Sequence, residues 1–143
     1  MAHLVANAER VVDLFLALME QLPPAVDVAV RDERTGQTWA GERLALPDVR
    51  DAIARIRTQI AANGGVELSV FTSEDQLTLN GVLELFVYAR TDRWLYILKG
   101  KGLEERRVVR TKSWRHARRE YPEAPELAQG IAALVASLQL TPA

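Results

Sequence analysis

An α+β fold with a mostly antiparallel meander sheet and helices packed on one face is the architecture this sequence predicts, in the order α-β-β-α-β-β-β-β-α. Three observations carry that expectation. Apolar residues recur three or four apart in three long segments, as on one side of a helix, and alternate every second residue in several shorter ones, as on one face of a sheet. Between them stand Pro, Gly, Asn and Asp clusters of the kind that end helices and turn strands. At 143 residues with 48% hydrophobic and 26% charged side chains, the chain is long enough to bury a core without metal or disulfide support, and residues 1–143 read as one compact domain.

The first helix is expected at about Leu4–Gln21, where Leu4, Ala8, Val11, Val12, Phe15, Leu18, Met19 and Leu22 form one apolar stripe that Pro23-Pro24 ends. Val26, Val28 and Val30 then alternate with Asp27, Ala29 and Arg31, which predicts a half-buried strand. Glu33-Arg34-Thr35-Gly36 turns the chain into a second strand near Gln37–Gly41, with Gly36 free to take a positive φ. Pro47 suits the first turn of a second helix, and Asp48 and Asp51 suit its positive end. Val49, Ala52, Ile53, Ile56 and Ile60 make its inward stripe, and Asn63-Gly64-Gly65 closes it with an open or left-handed backbone.

The meander comes next. Val66, Leu68 and Val70 share one face of a strand, followed by strands at Gln76–Leu79 and Leu83–Arg90 around Asn80-Gly81. A two-residue Asn-Gly turn would set Leu77 against Glu84. A three-residue connection with a bulge at Gly81 instead opposes Leu79 to Leu83 and Leu77 to Leu85, and register favours it because apolar side chains stay together. Thr91-Asp92 turns the chain again, so that Leu85, Val87, Trp94, Tyr96 and Leu98 share one face and Phe86, Tyr88, Leu95 and Ile97 the other. A basic edge strand at about Leu103–Thr111 and a last helix near Glu126–Leu138 complete the series. That helix carries Leu127, Ile131, Leu134, Val135 and Leu138 on one side. As a topology, the order is broadly similar to the small roadblock and profilin-like α+β domains, with an extra meander strand; no functional residue carries over from that likeness.

Charge is distributed unevenly along the chain. Residues 1–98 hold nine basic and fourteen acidic groups, 99–119 nine basic and two acidic, and 120–143 three acidic and none basic, so the formal net of −1 conceals −5, +7 and −3. Such segregation focuses a field that attracts an anionic partner without naming it. On an extended strand Arg106, Arg110 and Lys112 share a side, with Arg115 following, and these four are the candidate partner-binding residues. An acidic protein is the favoured partner. DNA or RNA is the alternative, in which the basic side chains of 99–119 meet phosphates and Trp114, His116 or Tyr121 stack or hydrogen-bond. No helix-turn-helix, zinc-finger or RNA-binding signature accompanies them, and a solvated, lysine- and arginine-protected sheet edge is the plain structural account.

Catalytic chemistry finds little purchase. With no cysteine and two histidines, thiolate catalysis and disulfides are excluded and no zinc-ligand set is suggested. Ser113 and His116 lack a carboxylate placed to orient the imidazole. Lys99-Gly100-Lys101-Gly102 lacks the remainder of a phosphate-binding loop. Neither cofactor nor metal is expected, no segment approaches a membrane span of roughly 20 apolar residues, and the N-terminus lacks the order of a secretory signal, which makes the cytoplasm the expected location. The reading that follows is a non-enzymatic protein-interaction or adaptor protein, dimeric through Phe86, Tyr88, Leu95 and Ile97, with a basic partner-binding edge.

Overall fold

The computed structural model describes residues 2–4, 7–89, 97 and 121–143, and within them the expected α+β architecture is present. Seven strands among the described residues form a single sheet: β1 (Ala2–Leu4), β2 (Ala25–Asp32), β3 (Thr38–Ala45), β4 (Val66–Phe71), β5 (Asp75–Leu79), β6 (Leu85–Ala89) and β7 (Thr141–Pro142). Their spatial order is β1-β6-β5-β4-β2-β3-β7, and every pairing is antiparallel. Among the described residues it is accompanied by the helices α1 (Ala8–Met19), α2 (Leu46–Ala54), α3 (Arg57–Asn63) and α4 (Pro125–Ser137). Since α1 and α4 each contact both α2 and α3, the helices form one layer on one side of the sheet.

Strand parity builds the core beneath that layer. Val28 pairs with Val70, Val70 with Leu77 and Leu77 with Val87; one step along, Val30 pairs with Leu68, Leu68 with Leu79 and Leu79 with Leu85. All eight side chains are buried. From the helices come Val11, Val12, Phe15, Leu18 and Met19 of α1, Val49, Ala52 and Ile53 of α2, Ile60 of α3, and Leu127, Ile131 and Leu134 of α4. Most of the inward residues expected for the helices are buried, while Ala8 and Val135 are half-buried and Leu16, outside the expected stripe, is buried too.

Several boundaries differ from expectation, each for a local reason. Leu4 lies in β1, paired with Leu85, rather than in the first helix. Asn7 starts α1 instead: its backbone is extended and its Oδ1 accepts the Arg10 N–H at 3.0 Å, the geometry of a helix N-cap. The second helix is two, broken at Arg55-Ile56, where Ile56 leaves helical geometry at φ −111°, ψ 12°. At β5–β6 the register is two residues further than expected, with Leu79 opposite Leu85 and Leu77 opposite Val87. The three-residue connection is Gly81-Val82-Leu83, and the positive φ of 60° falls on Leu83, not on Gly81. Asn80 explains this: its Oδ1 accepts the N–H groups of both Val82 and Glu84, at 3.1 and 2.9 Å, and folds the loop around its own side chain. A shift of two preserves which face each side chain occupies, so Leu85 and Val87 are still buried under the helices. The expected strands across Trp94–Leu98 and Leu103–Thr111 lie outside the described residues, Ile97 apart. Ile97 has helical backbone and is half-buried against the core, so it does not continue a strand opposite Phe86.

Beside the α2–α3 break, α4 comes so close that a Cβ on Gly130 would lie 2.7 Å from the Ile56 methyl carbon Cγ2. In an unobstructed helix interior Gly→Ala gains about 1 kcal/mol. Here Gly130→Ala is expected to lower the urea midpoint, and in an Ile56→Ala background, where the obstructing methyl is gone, the same change should raise it.

Candidate functional site

Opposite the helices, the sheet presents a second face of different chemistry. Across β2, β4, β5 and β6 run two rows: Asp27, Phe71, Gln76 and Tyr88 in one, Ala29, Ser69, Thr78 and Phe86 in the next. Tyr88 is 44% exposed, Phe71 and Phe86 are half-buried, and Thr78 is buried. Hydroxyl and amide groups in the middle bond to one another: Ser69 Oγ and Thr78 Oγ1 are 2.9 Å apart, and Gln76 Nε2 donates to Thr78 Oγ1 at 2.9 Å. The result is a polar seam flanked by aromatic rings, which suits a partly desolvated contact because its central polar groups are already satisfied.

Phe86 and Tyr88 thus occupy the predicted face together. Ile97 is not brought to them as a strand neighbour, and Leu95, Arg106, Arg110, Lys112 and Arg115 lie outside the described residues.

A charged corner closes the second face. Glu67 of β4 stands directly across from Arg31 of β2, whose Nε is 3.5 Å from Glu33 Oε2. Burial pushes the Glu67 carboxyl above its ordinary range, the negative charge of Glu33 pushes the same way, and Arg31 opposes both.

At the same end of the sheet lies a feature the sequence reading passed over. Arg34, in the β2–β3 turn, donates from Nη1 to Gly64 O at 2.7 Å, from Nη2 to Asn63 O at 3.1 Å and from Nε to Pro122 O at 2.8 Å, with its guanidinium 5.2 Å from the centre of the Tyr121 ring. The first two acceptors terminate α3, where the helix dipole favours a cation. Close approach requires the glycines here. A Cβ on Gly65 would stand 2.9 Å from Arg34 Cζ and 3.0 Å from Tyr121, and one on Gly81 would stand 2.9 Å from the Tyr121 hydroxyl. Beside the clamp, Ala61, Ala62, Asn63, Val82, Leu83 and Pro122 line an open groove of ≈ 270 Å³. The only sequence signal for the clamp was an arginine set in a turn and a Gly-Gly pair 30 residues away; nothing local joins them.

No group of three or more metal-ligating side chains gathers among the described residues, and no helix among them is long and apolar enough to cross a membrane. No protein-family model, curated protein or solved structure matches the chain.

Two substitutions separate the clamp from ordinary turn strain. Gly36 and Gly65 have nearly equal φ, 75° and 77°, but a Cβ on Gly36 would meet nothing. Gly36→Ala should cost only the left-handed penalty of about 1–2 kcal/mol, and Gly65→Ala clearly more, read as the difference between their urea midpoints. Arg34→Lys keeps the charge but loses the fork that serves three carbonyls. It should destabilise by ~2 kcal/mol, close to the loss from Arg34→Ala; a fully stable lysine variant would refute the geometric account.

Proposed function

We propose that this chain is a non-enzymatic interaction protein that pairs with a second copy through the second sheet face and engages an acidic protein through its basic segment, 99–119. The observation that supports the reading most is the Phe71-Gln76-Tyr88 row, with Tyr88 exposed on the sheet face opposite the helices. Large aromatic rings around a satisfied polar seam are common at protein interfaces, where they contribute contact area at low entropic cost. The charge separation adds a steering component: a +7 segment on a chain otherwise at −8 directs an acidic partner to one region and repels it elsewhere. Nothing in the polar seam is arranged as a nucleophile with its base, so binding rather than covalent chemistry is the use this face supports.

Tyr88→Asp tests the self-association without touching the core. Wild-type protein is expected to sediment as a dimer and the variant as a folded monomer, because an isolated carboxylate is costly to bury. A wild-type monomer at high concentration would remove the interface from the proposal. Ile97→Asp is unsuited to this purpose, since its half-buried place against the core predicts unfolding instead.

For the basic segment, binding of a polyglutamate peptide should be compared with single-stranded and duplex oligonucleotides across a salt series. Neutralising Arg106, Arg110, Lys112 and Arg115 together is expected to weaken peptide binding while leaving the circular dichroism spectrum unchanged. Tight oligonucleotide binding that falls steeply with salt, through release of phosphate counterions, would reverse the ranking in favour of nucleic acid.

A further inference from the structure

Glu67 holds a charge with unusually little support. Its cross-strand neighbour Arg31 is engaged by Glu33 at 3.5 Å, and among the described residues no cation lies within ion-pairing distance of the Glu67 carboxylate. On its other side, the pairing of Leu68 with Leu79 sets Glu67 level with Asn80, whose amide Nδ2 is turned to Glu84 Oε1 at 3.2 Å. From β2 and the turn after it Glu67 is therefore met by one shared arginine and one carboxylate, and from the β5–β6 loop by an amide that already serves another carboxylate. Farther along the same face stands Asp27, and β1 sets His3 opposite Phe86 in register. A half-buried carboxyl so placed is better accommodated as the neutral acid, which can donate as well as accept a hydrogen bond.

From this arrangement we infer that Glu67 makes the fold acid-responsive: uptake of one proton there strengthens the sheet end that carries the β2–β3 turn, and this carboxyl's contribution to the stability of the fold grows as pH falls. The inference concerns the folding of the sheet, so it stands whatever associates with the second face. Glu33 and Arg34 are consecutive residues of that turn, and Glu33 N–H also donates to Gly65 O at 2.8 Å, which joins the charged corner to the clamp. The sign follows from linkage. With the folded carboxyl raised above its ordinary value of 4.5, its stabilising contribution is fully present below that value, declines as pH rises, and is absent above the raised folded value.

Urea unfolding of the full chain at about pH 7.5 and about pH 5, at constant ionic strength, tests this. Relative to Glu67→Gln, the wild-type midpoint should rise on acidification. Glu67→Gln should have the higher midpoint of the two proteins near neutrality and a smaller rise on acidification. An equal rise in Glu67→Gln would assign the response to another group, His3 included, and overturn the inference. A direct measurement guards against a variant that fails to fold: carbon-detected NMR titration of the wild-type Glu67 carboxyl should give a midpoint above the ordinary carboxylate value, and a midpoint at or below it would overturn the inference by itself.

Discussion

Two in-register rows of apolar side chains, Val28-Val70-Leu77-Val87 and Val30-Leu68-Leu79-Leu85, fix the rest of this structure. They run across four strands drawn from separate parts of the sequence, and their burial is possible only when every strand holds the same parity. A one-residue slip in any of them would turn its apolar set toward the second face and its polar set under the helices. With each buried leucine contributing about 2 kcal/mol, such a slip loses most of a domain's margin of stability, and local irregularities are accommodated around the rows rather than within them. The β2–β3 bulge illustrates this. It lies between Val26 and Val28, where Asp27 Oδ1 accepts the N–H of Arg43 at a positive φ of 53°, and it lets Trp39 and Leu44 both pack against the core. Leu83 is a second case, an unfavourable left-handed leucine held by Asn80 so that Leu85 and Val87 reach their places.

Arg34 performs for one end of the sheet what those rows do for its middle. Three connections meet there: the β2–β3 turn, the α3–β4 link and the β5–β6 loop. Backbone bonds tie them in pairs, Glu33 N to Gly65 O and Gly65 N to Gly81 O, both at 2.8 Å. The guanidinium then adds Tyr121 and Pro122 to the assembly. In the sequence that contact lies between the +7 segment, which ends at Arg119, and α4, which begins at Pro125. At this point Arg34 and the backbone of Gly65 and Gly81 meet Tyr121 and Pro122.

How much of this could be read from the sequence depended on the range of the cause. Parity in β2 and β4, the inward residues of α2 and α3, and the Gly64-Gly65 stop follow from spacing within a few residues, and they are found as expected. Asn7 as a cap and Asn80 as the organiser of its loop are also local. They were legible in principle, but Asn80-Gly81 suggested a glycine at the positive φ, and the side chain's two N–H acceptor bonds gave that role to Leu83. The α2–α3 break has no local marker, since Arg55 and Ile56 carry no helix-breaking chemistry, and the contact beside it comes from Gly130 on α4. Arg34 is illegible for the same reason: its partners lie 29, 30 and 88 residues away. Of the candidate site, alternation alone placed Phe86 and Tyr88 on the second face. It did not anticipate the hydroxyl and amide seam between the aromatic residues.

That seam changes what the second face can be. A purely apolar surface would be accounted for by further helix packing, as on the first face. Here Ser69, Gln76 and Thr78 satisfy one another across β4 and β5, so the face tolerates water and does not need to be sealed to be stable. Glu67 gives the opposite indication at one corner, a carboxyl that burial disfavours in its charged form. That carboxyl sits beside Glu33, one residue before the Arg34 whose guanidinium meets Tyr121 and Pro122.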